Sequence, residues 1–149
     1  MAKLITPHFT LDEFTASQTA ARLGLGNLPT TPQEAANITR TAETMERVRT
    51  ILGARPILVS SGYRSPAVNA AVGGATSSAH MSGLAVDFTC PGFGDPIEIC
   101  HELVPHLDEL GVDQLIHEFD SWVHLGLSSG EPRRMVLTIN SGGTRQGLA

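Results

Sequence analysis

Apolar positions recur with a helical period in the first half of the chain and with a strand period in the second. Ile38, Ala42, Met45, Val48 and Leu52 follow one another at steps of three and four, as one buried helix face requires. Thr31-Pro32-Gln33-Glu34 stands before them in capping-box form, with Pro at the first helical position, and Gly53 stands after them as a terminator. This predicts the longest helix of the chain. Thr10-Leu11-Asp12-Glu13 has the same box and opens a short helix towards Ser17. Ser65-Pro66 starts another short helix that Gly73-Gly74 stops. Asp95-Pro96-Ile97-Glu98 starts a further one, with Cys100, Leu103, Leu107 and Leu110 inward, Pro105 as a kink and Gly111 as terminator.

Strands are expected at Pro56–Ser61, Leu84–Thr89, Asp113–Phe119, Trp122–Leu127 and Arg134–Ile139, each short and bounded by Gly, Pro or Ser. The connection Phe119-Asp120-Ser121 is tight enough to make a hairpin of its two flanking strands. Helices cluster early and strands late. That order favours an α+β fold with a small antiparallel sheet, the helices packed on it mainly from the N-terminal half.

Composition narrows the function classes. A length of 149 residues suits a single domain spanning 1–149. Ten Lys+Arg against 15 Asp+Glu, scattered and netting −5, leave no basic footprint for nucleic acid or anionic lipid. No apolar run approaches the roughly 20 residues of a membrane span, and the start carries no secretory pattern. Cys90 and Cys100 are too few and badly spaced for a disulfide framework and read as buried free thiols. The expectation is synthesis in the cytoplasm without a signal peptide, as a monomer.

The chemistry concentrates in two segments. In 76–89, His80 sits in a Ser- and Gly-rich loop and Asp87 falls inside an otherwise apolar strand. An ionised carboxylate between Val86 and Phe88 is costly unless paired, hydrogen-bonded or bound to a metal. By alternation Asp87 shares a face with Ala85, opposite Leu84, Val86 and Phe88, and Gly83 lets His80 return over that face. In Glu118-Phe119-Asp120-Ser121-Trp122-Val123-His124, His124 shares a strand face with Trp122. If this hairpin lies beside the Asp87 strand, His80, Asp87 and His124 converge as three N/O ligands with an open fourth position, the form of a catalytic zinc site. Glu118 is then the leading general base for a water, with Asp120 second. Spacing alone is equally consistent with a solvated His80, a structural Asp87 and a core His124.

The wider sequence bears on that choice. Ser60-Ser61-Gly62-Tyr63-Arg64-Ser65-Pro66, Asn69, Val72-Gly73-Gly74-Ala75 and Ser78-Ala79-His80-Met81-Ser82-Gly83-Leu84-Ala85-Val86-Asp87 follow in order. Together they resemble the zinc D-alanyl-D-alanine peptidase family, which includes cell-wall carboxypeptidases, dipeptidases and the L-alanyl-D-glutamate endopeptidases of phage endolysins. Its pattern SxHxxGxAxD is met by Ser78, His80, Gly83, Ala85 and Asp87, and its third ligand by Trp122-Val123-His124. The segments Phe9–Phe14 and Asp113–Ile116 look like the small phage and prophage branch, and the likeness covers about residues 8–128.

The resemblance implies the fold shared by hedgehog signalling domains and DD-peptidases, and a single catalytic zinc ion on His80, Asp87 and His124. It further implies hydrolysis of peptide bonds in peptidoglycan stem peptides. Arg64 carries a fixed cationic fork that could bind a substrate carboxylate or a developing oxyanion, a role the resemblance supports. Ser78 is a candidate for bonding substrate or ordering its loop, and Trp122 for lining the cleft or joining the core. His117 faces away from Glu118 and is structural; His8, His101 and His106 have no partners in register and belong to the surface. Many members of the family carry their catalytic carboxylate three residues before the second histidine ligand. Here that position is Ser121, and Glu118 lies six before His124, a spacing that looks hedgehog-like. The alternative reading is therefore a zinc-containing binding or virion structural module without turnover. A wall enzyme without an export signal fits release at lysis or delivery by a virion, and a bare catalytic domain of phage or prophage origin.

Overall fold

The computed structural model describes residues 4–148. A two-stranded hairpin leads, β1 (Leu4–Thr6) with β2 (Phe9–Thr10), followed by α1 (Leu11–Thr15), α2 (Gln18–Leu23) and α3 (Pro32–Ile51). Then come β3 (Leu58–Ser61), α4 (Pro66–Ala71), β4 (Ala85–Thr89), α5 (Pro96–Leu103) and α6 (Leu107–Leu110). The chain closes with β5 (Val112–Glu118), β6 (Trp122–Leu127), β7 (Met135–Asn140) and β8 (Gly143–Gln146). Among the described residues β3 to β8 form one sheet in the order β3-β4-β6-β5-β7-β8. All its pairs are antiparallel except β5 with β7. The fold is α+β, as the order of elements predicts, but the main sheet is mixed. The β6–β7 connection carries the chain past β5, so β7 enters beside β5 in the same direction.

The expected helix starts are present. Thr10 and Glu13 form a complete reciprocal box, and Asp95 and Glu98 form another. At α3 the box is shifted. Thr31 Oγ1 accepts from Glu34 N at 3.1 Å, but the Glu34 carboxylate reaches back to Thr30 N at 2.9 Å rather than to the cap itself. Pro105 does more than kink its helix: it converts Val104–His106 to a 3-10 turn that separates α5 from α6. Three elements were not expected: the β1–β2 hairpin, α2 capped by Ser17, and β8, which follows β7 and forms an edge of the sheet.

The core lies between α3, α5 and one face of the sheet. Ile38, Ala42, Met45 and Val48 of α3 and Leu52 at its C-cap are all buried, against Val86 and Phe88 of β4, Leu115 of β5 and Val123 and Leu125 of β6. Each of these side chains larger than Ala42 contributes about 1.5–3 kcal/mol when fully buried, so this face fixes the strand register, and a one-residue slip would expose it. The opposite face of the same strands is thereby committed to the polar residues Asp87, His124 and Glu118. Both cysteines are buried and free, and burial pushes the Cys100 thiol up to about 12. Among the described residues no helix is long and apolar enough to cross a membrane.

Candidate metal centre

His80 is delivered by a 3-10 turn, Ala79–Ser82, tied to its surroundings at both ends. Ser78 caps the turn, its Oγ accepting from His80 N at 3.2 Å. Gly83 ends it at φ +80°, where a Cβ would lie 2.8 Å from Ile38 Cγ1 and 3.0 Å from Glu34 O. Only glycine meets both demands. Helix α3 grips the turn from behind: Thr41 Oγ1 donates to Gly83 O at 2.7 Å and Asn37 Nδ2 to Ser82 O at 2.9 Å. The imidazole is 2 % exposed, and its Nδ1 lies 2.7 Å from the carbonyl of Gly62. A carbonyl can only accept, so Nδ1 carries the proton and Nε2 keeps its lone pair. Burial holds the ring below the ordinary imidazole value, against the pull of Asp87.

Strand register supplies the other two groups. Asp87 stands directly opposite His124 in the β4–β6 ladder, and Ile116 opposite His124 in β5–β6. Asp87 Oδ1 is 2.9 Å from His124 Nδ1 and 3.4 Å from His80 Nε2. Burial raises the Asp87 carboxyl, but the hydrogen bonds and charges of His124 and His80 prevail and hold it well below the usual carboxylate range. One ligand atom from each of His80, Asp87 and His124 lies within 4.8 Å of the others. The three residues read together from the sequence are thus brought together.

Glu118 pairs with Trp122 at the end of the β5–β6 ladder, and its Oε1 lies 3.9 Å from His124 Nδ1. Burial pushes its carboxyl up from the ordinary value; the charge of His124 opposes this, Asp87 adds to it, and Arg64 and the nearby Trp122 N–H draw it back. Asp120 is turned elsewhere, its Oδ1 3.0 Å from His117 Nε2. Ser121 closes the turn, with Oγ donating to Phe119 O at 3.0 Å and N to Glu118 O at 3.0 Å. Of the two carboxylates considered, only Glu118 faces the cluster.

Arg64 sits between β3 and α4, its N donating to His80 O at 3.0 Å. Burial lowers its guanidinium from the ordinary value while Asp87 and Glu118 act in the opposite sense. Nη1 donates to Asn69 Oδ1 at 3.2 Å, and Asn69 Nδ2 to Ala75 O at 2.9 Å. A Cβ on Gly74 would fall 2.1 Å from Asn69 Oδ1 and 2.8 Å from Arg64 Nη1, so the loop closes on this pair only through glycine. Nε of Arg64 is buried and has no hydrogen-bond partner among the described residues. Such a donor in a cleft wall costs free energy until a ligand accepts from it. Asn27 clamps the preceding segment, with Nδ2 donating to Thr15 O and Tyr63 O and Oδ1 accepting from Ser65 N. Asn27 was not singled out in the sequence, and no function was assigned to Asn69, because what each does is set by residues distant in the fold.

His80, Asp87, His124, Glu118 and Arg64 line one cleft of about 1380 Å³, together with Ser78 and Trp122. That exceeds the roughly 300–1,000 Å³ of a small-molecule pocket. Two neutral-capable imidazoles and a carboxylate are a borderline-soft donor set, and His80 already donates its second N–H to a backbone carbonyl, as metal-bound histidines do. The residues present therefore fit a transition-metal ion. Outside the site two expectations are corrected: His8 is 2.7 Å from the Glu46 carboxylate and His106 contacts Glu109, so neither is unpartnered, whereas His101 is exposed. Among known proteins, a family model described as Peptidase M15 matches residues 7–126. No curated protein matches the chain.

Proposed function

Because the chain belongs to the peptidase M15 family, we propose that it is a zinc-dependent peptidase hydrolysing peptide bonds in peptidoglycan stem peptides. The observation that carries this reading is the convergence of His80, Asp87 and His124 within 4.8 Å, with Glu118 3.9 Å from His124. Zinc bound by the three ligands would supply a Lewis acid that acidifies a water and polarises the scissile carbonyl.

The chain's own residues do the rest. Glu118 takes a proton from the attacking water on a carboxylate oxygen. The water oxygen bonds to the carbonyl carbon, the C–N bond breaks, and Glu118 returns the proton to the leaving amine. Arg64 offers its unpartnered Nε–H to the carbonyl oxygen or a neighbouring carboxylate of the substrate. Ser78 spends its hydroxyl oxygen on the His80 turn, so its main service is to hold a ligand in place. Asn69 orients Arg64. Asn69→Ala should lower kcat/KM about tenfold while zinc content stays at that of the wild type, checked by steady-state kinetics and metal analysis. Action on the wall after lysis-linked release or delivery by a virion, from a phage or prophage source, completes the proposal.

The test is mass spectrometry of purified peptidoglycan digested by the zinc-loaded protein. New amine and carboxyl ends within the stem peptides are expected, and their masses identify the bond. Full zinc occupancy with intact stem peptides would instead assign a binding or structural module without turnover.

A further inference from the structure

The turn between β5 and β6 is built against local preference. Phe119 and Asp120 stand at φ +53° and +52°, consecutive left-handed residues where glycine or asparagine is the usual solution. A bulky aromatic is among the least suited side chains there. The conformation is nevertheless over-determined. Phe119 N donates to Ile139 O at 2.7 Å, Ser121 N to Glu118 O at 3.0 Å, and Ser121 Oγ to Phe119 O at 3.0 Å. His117, buried on the far face, adds its contact to Asp120 at 3.0 Å.

Packing does not repay this arrangement, since the Phe119 side chain is left 49 % exposed. It lines the cleft and leans on Trp122, with ring centroids 5.8 Å apart and planes tilted by 41°. Strain kept at an exposed apolar residue beside Glu118 points to a functional constraint. Register gives its place: Trp122 is two residues from His124 along β6, about 7 Å at strand rise. That is the reach of one or two residues of an extended peptide.

We propose that Phe119 and Trp122 form an apolar lip that seats an aliphatic side chain of the substrate next to the scissile bond, with Phe119 as a specificity-determining residue. The proposal rests on the peptidase reading above. Ser121 thereby acquires a role at the position where a carboxylate stands in many relatives: it holds the turn that presents Phe119.

The test uses Phe119→Asn, which suits the left-handed backbone and removes the ring. Kinetics are measured on a soluble stem pentapeptide and on an analogue with the alanine next to the cleaved bond replaced by glycine. Binding is followed by the fluorescence of Trp122, the chain's single tryptophan, in the Glu118→Gln background, where turnover is suppressed. The expected result is KM and Kd raised about tenfold, kcat within about twofold, and Tm no lower than that of the wild type. Wild type should also discriminate alanine from glycine more strongly than the variant does. KM and Kd within about twofold of wild type, or a fall in Tm and kcat together, would overturn the proposal. A wild-type protein that neither binds nor cleaves either peptide would overturn the peptidase reading, and this proposal with it.

Discussion

Replacing Glu118 by glutamine should cut kcat about 10³-fold, with zinc content and KM close to those of the wild type. General acid–base catalysis by a positioned side chain contributes roughly 10²–10⁴-fold. Of the carboxylates lining this cleft among the described residues, Asp87 belongs to the cluster and Asp113 is held by Arg133, which leaves Glu118 for the role. The glutamine keeps the shape of the side chain, so the turn and the three candidate ligands are not disturbed. What it lacks is a site for the proton of the attacking water. Burial works towards the same function in the wild type, since it raises the Glu118 carboxyl from its ordinary value and makes the carboxylate a stronger base. Asp120→Asn provides the contrast. That side chain is 78 % exposed and engaged with His117, and its loss should change kcat by less than about threefold. Steady-state kinetics with metal analysis on both variants decides between the two carboxylates. A Glu118→Gln protein that kept a tenth of the wild-type kcat with its zinc bound would remove Glu118 from the base position.

Much of this site was legible because its signals are local. A strand that alternates strictly commits Asp87 and His124 to one face as soon as Val86, Phe88, Val123 and Leu125 are placed on the other. Capping boxes at Thr10 and Asp95 name helix starts for the same reason, since both partners lie within one turn of chain. What could not be read depends on distant partners. Asn27 and Asn69 matter through residues brought near only by folding. The parallel placement of β7 follows from where the β6–β7 connection crosses the sheet, which no residue pattern in β7 reveals. Helix α2 has a Ser cap but only one buried residue, Ala20, and so no apolar period to detect. The tight Phe119-Asp120-Ser121 turn was expected, but its left-handed backbone was not legible, because the sequence lacks the Gly or Asn that normally advertises such residues. Local propensity and structure disagree there, beside the proposed base, as they tend to do where function constrains the chain.

Zinc itself should be visible in stability before any activity is measured. A ligand bound only by the folded state at about 100 times its Kd adds about 2.7 kcal/mol. In a chain of 149 residues that corresponds to a rise in Tm of roughly 5–10 °C. Calcium at the same concentration should give almost none of it, because two imidazoles are poor ligands for a hard, oxygen-seeking ion. Asp87→Asn tests the site rather than the ion. The amide can still meet His124, so the metal-free protein should fold, but the anionic ligand is gone. A 100-fold weaker Kd leaves about 0.4 kcal/mol at the same zinc concentration, a rise of roughly 1–2 °C. The wild-type rise should also shrink on acidification, because the histidines bind metal only as neutral rings and protons compete for them. Differential scanning calorimetry with zinc, calcium and a chelator reads all of this. An undiminished zinc response in Asp87→Asn, or an equal response to calcium, would place the metal elsewhere and detach Glu118 from any role beside it.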